Sequence, residues 1–396
     1  MSQFRTSDPD YNSLKVRSTV LEQMKGVPKR LDEQFVEAPT YRGPERRRAP
    51  RSSIDPVRRG FKHTVLLQPE SIPDAARMAS SINADMVAFC RSALERDIPG
   101  YADVIVSLSR GRQLDRLVPE QDVAFMVATG QTANGGTHDS FFRIRRLSHD
   151  SPAGFLVGLF RALELLKADV KEIATDLTDA QLAQIADGLR LSIAAALNID
   201  LMLPVLRWER GDAIATEQTS LHRWLRGHHI FAALTQGLVF GMRNIQSAYD
   251  QLDHVALIQN AELCTVLLTA SARSFELTGD FPEGAYKESI RYAMEPPYQP
   301  VGFSGLLSLD HRELVSQMRS AKQALEHLGA VAPESRDAMM GALGQVYDSH
   351  KHVCARFVGT DRASLLMAKD VGRSAVEQID RFKAMRMKAF GCPMSR

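Results

Sequence analysis

Cysteine and excess charge of either sign are scarce in this sequence, and each scarcity argues against a class of protein. The chain has 396 residues, of which 4 are cysteine and 2 are tryptophan. The cysteines lie far apart and form no CxxC pair, which argues against a disulfide scaffold or a zinc ribbon and favours a reducing compartment. The formal net charge is only +2, so no overall field attracts nucleic acid or a membrane surface.

Long apolar runs and the commonest enzyme motifs are also missing. No stretch of about 18 apolar residues occurs, and the N-terminus lacks the apolar segment of a signal peptide. There is no GxSxG elbow, GxGxxG fingerprint, P-loop, HExxH or CxxCH motif. We therefore expect a soluble cytoplasmic protein without a membrane or nucleic-acid partner.

Composition divides the chain into an N-terminal arm and one large domain. Residues 1–60 are polar and rich in proline and arginine, most densely over 42–59. Such an arm either grips phosphates or lies solvated on the protein surface, and the second interpretation is favoured because no basic face continues it. Hydrophobic residues make up 44% of the chain, which is enough for a sizeable core. We assign residues 61–396 to a single domain.

Apolar periodicity from residue 73 onward is mostly helical. Ser151 and Pro152 are typical of a helix start, and Thr178 and Gln181 have the spacing of a capping box. Strand-like runs are few, and an irregular segment is expected from about 109 to 150, within which the glycine-rich ATGQTANGGTHDS resembles a loop. The sequence therefore predicts an all-α domain of eight or more helices. The long helical candidates include 228–249 and 254–275, and the strand-like runs are 63–68 and 141–147.

One grouping stands out in YDSHKHVCARFVGTDR, residues 347–362, where His350 precedes Cys354 by four residues. On a helix these two side chains share a face, while His352 points away. A zinc site would need two further ligands that no CxxC or HxxxH supplies. Haem is a better match, because imidazole is a standard axial ligand and a thiol one turn away reaches the ring edge. Taken alone, the pair is also what a partly buried histidine beside a core cysteine looks like. Surface or capping roles are expected for His222, His228 and His229.

The residues around His350 resemble those of a known haem family. His350, Arg356, Gly359 and Thr360 match the pattern around the proximal haem histidine of tryptophan 2,3-dioxygenases, and His311 lies 39 residues upstream of His350. Together with HxxxC, this pattern resembles the 3-methyl-L-tyrosine peroxygenases of saframycin- and safracin-type antibiotic pathways. These belong to the histidine-ligated, haem-dependent aromatic oxygenases. The following GTDRASLLMAKD departs from the glycine-rich substrate loop of the dioxygenases, which fits a different aromatic substrate better.

The resemblance implies a tryptophan-dioxygenase-like helical bundle enclosing a haem. His350 would be the proximal iron ligand, His311 the distal one, and Cys354 would form a single thioether bond to the haem. Arg356 would contact the cofactor. His311 would leave the iron before turnover and then act as general base and acid.

The implied reaction is hydroxylation of 3-methyl-L-tyrosine by hydrogen peroxide to 3-hydroxy-5-methyl-L-tyrosine. Arg143 is the candidate for binding the substrate carboxylate, because a Phe-Arg pair has that role in the dioxygenases. His138 and Asp139 are further residues that could approach the substrate. A homodimer is expected from symmetry statistics alone.

Two other interpretations stay open from the sequence. The first is a non-catalytic, bis-histidine haem protein that transfers electrons or senses a ligand. The second is a haem-free helical interaction protein whose arginine-rich arm binds a partner or nucleic acid.

Overall fold

A computed structural model describes most of the chain from residue 64 to residue 389. The described residues are 64–96, 101–109, 136–147, 152–200, 203–295, 298–299, 303, 305–359 and 374–389. The N-terminal arm predicted over residues 1–60 lies outside them, so the division into an arm and one domain stays a prediction.

Helices dominate the described residues, and the prediction of an all-α bundle of eight or more helices is confirmed. A π-helical turn, Tyr286–Ile290, joins two single-turn helices. The elements in order are β1 (Thr64–Leu67), α1 (Ala75–Ser81), α2 (Ala84–Glu95), α3 (Ala102–Ser109), α4 (Gly136–Phe142), β2 (Ile144–Leu147), α5 (Pro152–Glu172), α6 (Asp179–Ala196), α7 (Glu217–Asp250), α8 (His254–Thr278), α9 (Glu283–Ala285), α10 (Arg291–Ala293), α11 (Leu309–Ser320), α12 (Lys322–Val331), α13 (Pro333–Val358) and α14 (Ala375–Ala389).

Helix starts follow the local sequence signals. Thr178 caps α6: its hydroxyl accepts from the Gln181 N–H, and the Gln181 side chain accepts from the Thr178 N–H. This is the predicted capping box, which satisfies two of the amides left unpaired at a helix start. Helix α5 begins at Pro152, also as predicted, whereas Ser151 lies outside the described residues.

The two strand-like runs form a small parallel sheet beside the helices. Thr64 pairs with Ile144 and Leu67 with Leu147. The prediction of an irregular segment over 109–150 is wrong for α4, Gly136–Phe142, which is helical, while residues 110–135 and 148–150 lie outside the described part of the chain. The reason is tertiary: Phe141 is fully buried, and backbone bonding to β1 organises the residues that follow.

Helix α8 lies at the centre of the bundle and packs against α6, α7 and α13. It is the one described helix long and apolar enough to cross a membrane, but 50% of its most apolar window is buried inside the protein. A core helix has the same composition, so this finding is weak support for a membrane span. The backbones of α6 and α8 approach so closely that a Cβ added at Gly188 would lie 2.5 Å from the Ala270 Cβ.

We predict that Gly188→Ala destabilises the fold by about 1–3 kcal/mol, because the added methyl overpacks the contact between α6 and α8. The measurement is the free energy of unfolding in urea. Gly341→Ala is the matched control, since that exposed position in α13 has no heavy atom within 4 Å of the added carbon. The control should gain up to about 1 kcal/mol from helix propensity. Equal stability of both variants would contradict the close approach.

Candidate functional site

Four histidines from four different elements surround one interior region. They are His138 on α4, His228 on α7, His311 on α11 and His350 on α13. Burial is the main cause that lowers the pKa of His228 to about 3 and of His311 and His350 to about 4. Repulsion from Arg386, and from His350 and His138 in their protonated forms, lowers the pKa of His311 further. Because these groups affect one another electrostatically, they lie in one neighbourhood of the bundle.

His311 and His350 are half-buried, and burial is the main cause of the lowered pKa of each ring. Both imidazoles are therefore neutral at pH 7 and keep a lone pair for a metal ion or a proton.

His350 and Cys354 lie one turn apart on α13, as the helical spacing requires. The His350 ring stacks on Phe275 of α8, with centroids 4.8 Å apart and planes at 8°. Cys354 is half-buried, and burial raises its pKa to about 11, so its sulfur is a protonated thiol at neutral pH. His352 is exposed, in agreement with the prediction that it points away.

Five aromatic side chains form a continuous series of ring contacts beside His350; we call Phe142, Trp224, His228, Tyr286 and Phe357 the aromatic wall. The Nδ1–H of His228 donates to the Trp224 carbonyl at 2.7 Å, which leaves Nε2 with its lone pair. The His228 ring stacks on Phe142 at 3.9 Å between centroids. Trp224 packs edge-on against Tyr286 at 5.5 Å, and Tyr286 stacks on Phe357 at 4.5 Å. The wall therefore joins α4, α7, the π turn and α13.

The expectation of surface or capping roles for the histidines of α7 is wrong for two of them. His229 is buried and its Nε2 contacts the Phe142 carbonyl, while His228 belongs to the aromatic wall. The physical reason is that α7 runs through the interior, so positions on several of its faces are buried. His222 is half-buried, with Nδ1 3.9 Å from a Glu172 oxygen.

A buried charge cluster holds the segments that carry His138 and His311; we call Arg146, Asp139 and Asp310 the Arg146 cluster. Arg146 of β2 donates Nε to Asp139 Oδ2 at 2.8 Å and Nη2 to Asp139 Oδ1 at 2.9 Å. It also donates Nη1 to Asp310 Oδ1 at 2.9 Å and Nη2 to Asp310 Oδ2 at 2.7 Å. Burial opposes ionisation of Asp139, but Arg146 and His138 outweigh it and hold its pKa at about 2.

The Arg146 cluster was missed in the sequence, although two signals pointed to it. Arg146 lies two residues after Ile144 in a strand, so both face the same, inward side, and an inward arginine needs acidic partners. Asp139 directly follows His138, and Asp310 directly precedes His311. What the sequence could not show is that these two acids meet at one guanidinium.

The two arginines predicted from the family pattern have different surroundings. Arg143 is half-buried and adopts φ +57°, a left-handed conformation that is uncommon outside glycine and concentrates at functional sites. Arg356 donates Nη1 to the Gly279 carbonyl and Nη2 to the Phe281 carbonyl, each at 3.0 Å. Its guanidinium therefore anchors the turn after α8, and the prediction that it contacts the cofactor gains no support from this geometry. Gly359 ends α13 at φ +89°, which explains a glycine there.

The donor set fits haem better than a bare metal ion. Within the described residues, no three His, Cys, Asp or Glu side chains come together closely enough to hold one ion. The histidines instead surround a region with neutral imidazoles on separate helices and a thiol one turn from His350. Neutral imidazole is a donor type that haem iron accepts, and a thiol is a group that can react with the haem ring.

The fold and this region define a helical, histidine-lined protein of the kind that encloses a redox cofactor. A family model, the SfmD 3-methyl-L-tyrosine peroxygenase, matches residues 65–338. The chain belongs to this family, and the resemblance inferred from sequence is confirmed. The match includes His311 and stops before His350 and Cys354.

Two similar proteins extend the comparison. The chain is 34% identical over 172 residues to a 3-methyl-L-tyrosine peroxygenase of Streptomyces lavendulae, covering 43% of this chain and 47% of that protein. The chain thus spans about half the length of this curated relative. A crystal structure of reduced SfmD, soaked with sodium hydrosulfite, superimposes with a TM-score of 0.56 at 21% identity, covering 73% of this chain and 96% of the other. That likeness shows the fold.

The lowered histidine pKa values predict acid sensitivity of the haem-free protein. Imidazoles in the unfolded chain have a pKa of about 6.5, so on acidification the unfolded state binds protons first. The free energy of unfolding should therefore fall from pH 6.5 towards pH 4, by up to about 1.4 kcal/mol per pH unit for each such histidine. Urea denaturation across this range measures the slope. His350→Phe, which preserves the stacking on Phe275, should give a shallower fall, and an unchanged slope would contradict burial as the cause.

Proposed function

We propose that this protein is a haem-dependent peroxygenase that hydroxylates the aromatic ring of 3-methyl-L-tyrosine with hydrogen peroxide. One observation carries the proposal. Two neutral imidazoles, His311 and His350, line the same interior region from different helices, and the Cys354 thiol lies one turn from His350. Membership of the peroxygenase family supports the choice of substrate and oxidant.

His350 and His311 would hold the haem iron, and Cys354 would form a single thioether bond to the ring. When bound, the haem supplies redox-active iron for oxygen transfer from peroxide to the substrate. The stacking on Phe275 fixes the plane of the His350 ring, and a fixed plane suits a permanent ligand. Addition of the Cys354 S–H across a vinyl C=C bond of the ring would form the thioether without a leaving group.

His311 would be the proton-transferring residue of the reaction. With its pKa lowered to about 4, its ring is unprotonated at neutral pH and can accept a proton from peroxide at its free nitrogen. The same nitrogen can return the proton later in the reaction. Ser308 caps α11, and its hydroxyl accepts from the His311 N–H at 3.4 Å, which holds the main chain at this residue.

Substrate binding would use Arg143 and the aromatic wall. A guanidinium binds a carboxylate with two parallel hydrogen bonds, and the strained backbone of Arg143 orients a half-buried side chain. Phe142, next to Arg143, is fully buried and stacks on His228, so it connects Arg143 to the aromatic wall. A homodimer and a cytoplasmic location stay predictions.

The first test is whether haem remains attached to the denatured protein. We expect the purified protein to show a Soret band and to retain haem stain after denaturing electrophoresis. Cys354→Ala should bind haem but release it into acidic organic solvent, because the thioether is lost. Cys264→Ala is the control, since Cys264 is fully buried against α7 and should leave the attachment intact. Haem still attached in Cys354→Ala would contradict the tether.

Product analysis tests the activity itself. The haem-loaded protein, 3-methyl-L-tyrosine and hydrogen peroxide should give 3-hydroxy-5-methyl-L-tyrosine, identified by mass spectrometry. A haem-loaded protein that forms no hydroxylated product from this substrate would overturn the proposed function and leave a non-catalytic haem protein.

Arg143→Met should raise KM for 3-methyl-L-tyrosine by about tenfold or more, because hydrogen bonds to charged groups contribute about 1.5–3 kcal/mol. The decarboxylated analogue, 3-methyltyramine, is the matched control, and its KM should not change. An equal rise for both compounds would show that Arg143 acts on the ring or on the fold rather than on the carboxylate.

A further inference from the structure

The first turn of α11 is held more firmly than a helix start usually is. Asp310 is fully buried and accepts from Arg146 through both carboxylate oxygens. Gln236 of α7 donates its Nε2 to Asp310 Oδ1 at 2.8 Å and to the Leu67 carbonyl at 2.8 Å. Arg146 also donates Nη1 to the Leu67 carbonyl at 3.0 Å. The residue before His311 is therefore bonded directly to β2 and α7, and through the same two donors it is linked to Leu67 of β1.

Arg146 is fully occupied in this arrangement. Every N–H direction of its guanidinium points at an acceptor: the two oxygens of Asp139, the two oxygens of Asp310 and the Leu67 carbonyl. Only arginine offers this planar fork; a lysine has fewer N–H groups and cannot match two carboxylates in parallel. A shift of Asp310 would break several charge-assisted bonds in a place that water does not reach.

A fixed main chain restricts how His311 can move. If α11 cannot slide or unwind at its start, His311 can approach or leave a ligand position only by rotation about its side-chain bonds. Rotation from a fixed Cα returns the ring to the same position after each movement, which a shifting helix would not do.

We propose that Arg146 is a positioning residue for His311: by fixing Asp310 it confines the motion of His311 to side-chain rotation and keeps the ring at the iron between turnovers. This inference rests on the proposed function, because it takes His311 as the distal haem ligand. Arg146 touches neither haem nor substrate in this role and acts through Asp310.

The rate of cyanide binding to the haem-loaded, full-length ferric protein tests the proposal. Cyanide can bind only after the distal histidine has left, so its rate reports how readily His311 departs. We expect Arg146→Lys to bind cyanide about tenfold to a hundredfold faster, since loss of a supporting partner loosens a metal ligand by this order. Its resting absorption spectrum should also gain a high-spin component. A rate and spectrum identical to those of the unsubstituted protein would overturn the proposal.

Arg190→Lys is the matched control for general loosening. Arg190 is a fully buried arginine that donates to Asp187, to the Pro204 carbonyl and to the Leu94 carbonyl. Its loss should lower thermal stability as Arg146→Lys does, while the cyanide rate stays within about twofold because the site is not contacted. An equal acceleration in both variants would overturn the proposal by showing that any buried arginine has this effect.

Amide exchange in the haem-free, unsubstituted protein gives a second measurement that requires no variant to fold. Amides of α11 over 312–316, which begin with the Arg312 N–H bonded to the Ser308 carbonyl, should exchange as slowly as those of the core helices, because the main chain before them is held. Rapid exchange there would overturn the proposal. If the resting spectrum of the unsubstituted protein does not show two histidine ligands, both the assignment of His311 as distal ligand and this inference are overturned. If that spectrum does show two histidine ligands but Arg146→Lys leaves the cyanide rate unchanged, only this inference is overturned.

Discussion

The attraction between one buried guanidinium and two carboxylates determines how the parts of this protein meet. Arg146 lies on β2, yet its partners lie on α4 and at the start of α11, and Gln236 of α7 shares one of them. Removing one member of a buried ionic group typically costs about 3–5 kcal/mol, because the remaining charge has no water to solvate it. Segments far apart in sequence are therefore locked into one arrangement, and two of the interior histidines are placed as a result.

The helical bundle also provides a region in which the imidazoles stay neutral. Taking a histidine out of water disfavours its charged form, and several histidines together disfavour it further through repulsion. Both effects act on His311, whose neighbours include His350 and Arg386. The same burial has two consequences: the folded state is less stable in acid, and the nitrogen lone pairs remain available at neutral pH. Destabilised positions of this kind are typical of functional sites.

Much of the architecture was predictable, because the signals that define it are local. The capping box at Thr178, the start of α5 at Pro152 and the pairing of His350 with Cys354 on one helix all depend on residues within a few positions of one another. Helix α4 was not predicted, because its end is fixed by the burial of Phe141 and by the strand that follows, which pairs with β1 about 80 residues away. For the same reason the interior location of His228 was missed, since only neighbouring helices decide which face of α7 is covered.

Because Tyr286–Ile290 forms a π turn, the contacts of Tyr286 in the aromatic wall depend on the number of residues in this segment. A π turn accommodates an extra residue within a helix, and each residue of an α-helix turns the chain by about 100°. Loss of one residue here would restore an ordinary helix but swing Tyr286 away from Trp224 and Phe357, leaving a gap beside α13. Relatives that preserve the wall should therefore conserve the length of this segment more strictly than its polar side chains, and insertions or deletions should be confined to the flanking loops.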